Sequence, residues 1–74
     1  MPDIEFSLSG EYLELYKLLK LTGLCESGGA AKHAIASGQV KVDGQPETRK
    51  AFKVRCGHRI DFNGQAIVIK NRSY

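Results

Sequence analysis

Seventy-four residues make one small domain, which would bury only about 60% of its unfolded surface and leave little room for a deep substrate cleft beside a core. Hydrophobic residues at 42% and charged residues at 26% argue against disorder. No apolar run approaches the ~18 residues of a membrane span, and MPDIEFSLSG does not read as a signal peptide, so a cytoplasmic protein is expected. The net charge of +3 is unevenly placed: residues 1–30 carry −3 and residues 31–74 carry +6, an asymmetry that suits a polyanionic partner.

Ile4, Phe6 and Leu8 alternate with Glu5 and Ser7, which is strand periodicity, and Ser9-Gly10 breaks it. From Glu11 to Leu21 the period becomes helical. Tyr12, Leu15, Tyr16, Leu18 and Leu19 form a broad apolar face, which puts both tyrosines in the core, with Ser9 as N-cap and Gly23 as the stop. A second helix is expected over about residues 28–37, capped by Ser27, burying Ala31, Ala34 and Ile35, and ended by Gly38. Gly28 and Gly29 weaken its first turn, so packing on the first helix must hold it.

Val40 and Val42 then point inward from a strand that exposes Gln39 and Lys41. Asp43-Gly44 turns the chain, and Pro46 consigns the residues after it to an edge or a loop. Phe52 and Val54 alternate with Lys53 and Arg55, and Cys56-Gly57-His58 makes another turn. Ile60 and Phe62 point inward, Asn63-Gly64 signals a hairpin, and AIVIK closes the sheet. The order β-α-α-β-β-β-β is an α+β fold, two short packed helices against a small, mostly antiparallel sheet, in a single domain over residues 1–74.

Lys32 and His33 lie off the buried stripe of the second helix, and Lys41 leaves the next strand on its exposed face. With Arg49, Lys50, Lys53 and Arg55 they are placed to border one basic surface, to which Ser27-Gly28-Gly29 adds the unpaired amides of a helix N-terminus. Such a surface suits phosphates, with affinity falling by roughly 0.7–0.9 log units per log unit of salt for each phosphate contacted. Two cysteines, Cys25 and Cys56, are too few for a secreted disulfide framework and are expected as free thiols, Cys25 in the core. The Cys25–His33 and Cys56–His58 intervals match no common zinc spacing, so no metal or other cofactor is expected. No local pattern supplies the orienting partner and oxyanion site of a Cys/His nucleophile, so the chain reads as non-catalytic.

The segment LYKLLKLTGLCESGGAAKHAIASGQVKVDGQPETRKAFKVRCGHRIDF resembles the alpha-L RNA-binding motif of the ribosomal protein S-four domain family. The resemblance covers about residues 11–62 and rests on the ordered run Gly38, Val40, Val42, Gly44, Gly57 and Ile60, with a Leu-rich first helix ending in TGL. It is nearest to small stand-alone bacterial members regarded as ribosome-associated or RNA-binding. The resemblance implies a module for structured RNA, ribosomal RNA first, with contacts on Ser27, Lys32, His33, Gln39, Lys41 and Gly44; a monomer is the default for a domain without an exposed apolar helix face. Ribosomal proteins or an RNA enzyme are the alternative partners, through the same face. Glu11 stands where many members have Arg, Gly28 where many have Arg after Ser, Asp43 where Asn is common, and His58 where Asp is common. The first two departures remove positive charge, which shifts the expected surface toward Lys41, Arg49, Lys50, Lys53 and Arg55.

Overall fold

Period-two alternation at the start of the chain becomes β1 (Ile4–Leu8), in a computed structural model that describes residues 3–71. β1 forms one edge of a five-stranded sheet completed by β3 (Val40–Val42), β4 (Gln45–Pro46), β6 (Arg59–Phe62) and β7 (Gln65–Asn71), in the order β1-β7-β6-β3-β4. β1 pairs with β7 in parallel and every other pairing in this sheet is antiparallel. The register sets Val42 beside Ile60, Ile60 beside Ile67 and Ile67 beside Ile4, an apolar row running across four strands. The helices α1 (Leu15–Leu21) and α2 (Gly28–Ala36) close over it, and Leu15, Leu18, Leu19, Ala31 and Ile35 reach zero exposure in one cluster with Val40, Ile60 and Ile67. The α+β arrangement expected from the sequence is the one observed, with two additional two-residue strands, β4 and β2 (Leu13–Glu14). Among the described residues no helix is long and apolar enough to cross a membrane.

The helical periodicity misplaces the start of α1. Residues 11–14 are not helical: β2 pairs antiparallel with β5 (Lys53–Val54) in a separate two-stranded ribbon. The cause lies in the orphan donors of a helix N-terminus. Leu15 N–H donates to the Phe52 carbonyl at 2.9 Å and Tyr16 N–H to the Lys50 carbonyl at 3.2 Å, so a distant loop satisfies the first amides of α1. Glu14 is the N-cap, extended at φ −67° and ψ 139° and without a side-chain cap bond, in place of Ser9. Tyr12 is thereby removed from the apolar face and stands 43% exposed, while Tyr16 is half-buried.

The weak second helix begins and ends as its residues suggest. Ser27 Oγ accepts from Ala30 N–H at 3.1 Å, and Ala31, Ala34 and Ile35 are buried against the core. Gly38, at φ +80°, carries the chain from α2 into β3, and a Cβ there would meet no atom within 4 Å. The cost of a side chain at this position is therefore conformational rather than steric. Gly38→Ala is expected to lower stability by about 1–2 kcal/mol in urea titrations. No loss, or one several times larger, would contradict a left-handed backbone in open surroundings. Asp43-Gly44 (φ 52° and 84°) and Asn63-Gly64 (φ 53° and 79°) form the two hairpin turns.

Candidate nucleic-acid interface

The first turn of α1 gathers cations from both helices. Lys32 of α2 places Nζ 4.7 Å from the centre of the Tyr16 ring, and Lys17 lies 5.9 Å from the same centre. Gly28 is packed beside that ring, where a Cβ would stand 3.8 Å from Tyr16 Cδ2. Tyr16, Lys17, Lys20, Leu21 and Gly28 line a groove of about 290 Å³. Tyr16 N–H bonded to the Lys50 carbonyl ties this groove to the segment of a second one, about 360 Å³, lined by Arg49, Ala51, Phe52 and Lys53.

The expected single surface is divided. Lys41 points from the sheet face opposite buried Val40 and Val42, with Asp61 and Pro46 as its cross-strand neighbours. With Gln39 it lines a third groove, of about 220 Å³, that also includes Asp61, Phe62, Asn63 and Gly64. Gln39 Nε2 donates to Ser37 Oγ at 2.9 Å. Ser27 Oγ accepts from its own helix, which leaves the hydroxyl proton free to donate outward. His33 is exposed on α2, and Gly44 serves the hairpin turn.

Charge pairing separates the cations further. Arg49 forks onto Glu47, Nε to Oε2 at 2.8 Å and Nη2 to Oε1 at 3.1 Å, with Cζ 5.2 Å over the Phe52 ring. This pair holds the Glu47 carboxyl below its usual range and raises Arg49, so the Arg49 charge is compensated within the protein. Arg59 faces Asp3 and Asp61 at 3.3 and 3.5 Å, and Lys70 faces Glu5 at 3.0 Å. Among the described residues, Lys20, Lys32, Lys41, Lys50, Lys53 and Arg55 form no ion pair with a carboxylate. Sequence reasoning missed Lys20, because the first thirty residues are acidic on balance; the Leu-rich helix carrying it next to SGG was the available signal.

Asp43 builds the turn rather than an anion site. Its Oδ2 lies 2.9 Å from His58 Nδ1, its Oδ1 accepts from Arg59 N–H at 2.8 Å, and His58 meets the Phe52 ring edge-on at 5.5 Å. The His58 contact first, and the Arg59 amide second, hold the Asp43 carboxyl below its usual range. Asp43 and Glu47 thus bind fewer protons folded than unfolded at acid pH. Their contribution is complete above the unfolded carboxylate values near ~4 and is lost as pH falls through the lower folded values. Tm is expected to hold steady through these groups down to about pH 5 and to drop below it. Asp43→Asn keeps an acceptor for Arg59 and tolerates φ 52°, so its acid limb should be shallower than the parent's. Parallel acid limbs for the two proteins would exclude Asp43 from the effect.

Cys25 is buried, and desolvation pushes its thiol up; Cys56 is exposed and both are free. Among the described residues no three His, Cys, Asp or Glu side chains converge as metal ligands would.

Comparison with known proteins bears on this geometry. The S4 domain model matches residues 6–70. YbcJ of Escherichia coli (strain K12) is 52% identical over 58 residues, which is 78% of this chain and 83% of that protein. The solution structure of E. coli YbcJ, described as revealing an alpha-L motif involved in RNA binding, superposes with a TM-score of 0.73 at 46% identity, covering 95% of this chain and 90% of that one. RlbA of Bacillus subtilis (strain 168), named for ribosome maturation, is 31% identical over 58 residues, 78% of this chain and 82% of its own. By fold, by the extent of the match and by the motif shared with YbcJ, the chain belongs to the S4 domain family.

Proposed function

We propose that the protein binds structured RNA, ribosomal RNA in particular, without catalysing a reaction, through the basic surface around the start of α1. The observation that carries this reading is that, among the described residues, Lys20, Lys32, Lys50, Lys53 and Arg55 keep their charge uncompensated, whereas Lys17 is paired with Glu14 and Arg49 with Glu47. Uncompensated cations on a rigid frame neutralise phosphates and release counterions, the main sequence-independent source of RNA affinity. The RNA-binding motif described for YbcJ supports the ligand class, and the likeness to RlbA supports a ribosomal target. Recognition would rest on RNA shape, since the A-form major groove is too narrow for side chains to read. Gly28 and Gly29 would add backbone amides to the edge of this surface, beside Lys32.

The test is equilibrium binding to ribosomal RNA fragments and to a duplex DNA control across a salt series. RNA-preferring binding with a steep salt slope is expected. A weak, salt-insensitive association that survives ribonuclease treatment of a cell extract would favour a protein partner instead. Leu21, 64% exposed in the Tyr16 groove, would then be the first contact to examine.

A further inference from the structure

Tyr12 stands on the outer face of the β2/β5 ribbon, whose other face sends Leu13 and Val54 into the core. The register pairs Leu13 with Val54 and Glu14 with Lys53, and its continuation sets Tyr12 beside Arg55. Glu14, the carboxylate on this face, is taken by Lys17 at 2.8 Å. Lys53 turns to Tyr12 instead, its Nζ 5.1 Å from the ring centre. Among the described residues the other exposed large apolar side chain, Leu21, lines a different groove. Among the described residues Tyr12 is therefore an isolated exposed ring in a basic field rather than part of an apolar patch, which disfavours a protein as its occupant.

Resting on the proposed RNA binding, we propose that Tyr12 is a stacking platform for an unpaired nucleobase, with Lys53 and Arg55 holding the phosphates beside it. An aromatic ring left in water between uncompensated cations matches what single-stranded nucleotides require: a π-face for the base and charge for the backbone. Bases inside a duplex are already stacked, so only a bulge, loop or strand end can supply the ligand. A stacked base outweighs an ammonium over an exposed ring, so its arrival moves Lys53 from the ring toward the phosphate.

The test compares binding of the whole protein to a blunt-ended RNA duplex and to the same duplex carrying one bulged adenosine. Parent and Tyr12→Phe are expected to prefer the bulged duplex by roughly five- to 150-fold, the range of one base–aromatic stack. Tyr12→Ala should bind both duplexes equally, with its affinity for the paired one unchanged and its Tm that of the parent. Equal binding of both duplexes by the parent, or a preference that survives in Tyr12→Ala, overturns the platform and leaves RNA binding standing. Binding of neither duplex at low salt overturns both.

Discussion

Changing Lys32, Lys50 and Lys53 to alanine together is expected to make the slope of log affinity against log salt shallower by about two to three, and to weaken binding alike for every RNA sequence. The size comes from counterion release, about 0.7–0.9 of a unit for each phosphate no longer neutralised. Two single variants separate this surface from its neighbours. Arg49→Ala should leave the slope nearly unchanged, because its guanidinium is already forked onto Glu47 at 2.8 and 3.1 Å. Lys41→Ala reports on the sheet face directed away from the helices. A slope altered by Lys41 and not by the triple variant would move the interface to the groove shared by Gln39, Lys41 and Asp61.

Leu15→Ala should remove about 2–5 kcal/mol, the range for a fully buried leucine, from a domain whose whole stability is expected near the low end of ~5–15 kcal/mol. Leu15 has zero exposure, opens α1 and sends its amide to the Phe52 carbonyl, so it stands where helix, ribbon and core meet. The truncation leaves a cavity that rigid neighbours such as Leu18, Leu19 and Val54 fill only partly. Urea unfolding followed by circular dichroism measures the effect. A loss under ~0.5 kcal/mol, the scale of an ordinary surface substitution, would show that the α1 start is not anchored in the core.

Much of the frame was legible because its signals are local. Alternation in IEFSL, the DG and NG turns, the Ser27 cap and Gly38 each act within a few residues, and the structure places them accordingly. The start of α1 was not legible, because the partners of its first amides are carbonyls at positions 50 and 52, far along the chain. Helical periodicity alone carried the pattern back to Tyr12 and buried a side chain that is exposed. The cations could be counted from sequence, but which of them are uncompensated could not. The Glu47–Arg49 fork reads as a charged loop, and the Arg59–Asp3 pair joins segments far apart in the sequence.

The parallel pairing of β1 with β7 joins residues from opposite ends of the described chain, with Ile4 and Ile67 opposite each other in the register. In kinetic terms the first of the described strands to be made is among the last to find its partner. The contacts of Ile4, Phe6 and Leu8 with β7 span nearly the whole described chain, and contacts of such long sequence separation slow the rate-limiting step. During synthesis β1 therefore stays without its hydrogen-bonding partner until Gln65–Asn71 has left the exit tunnel. That interval is the one in which this small domain is most open to strand-edge association with other chains.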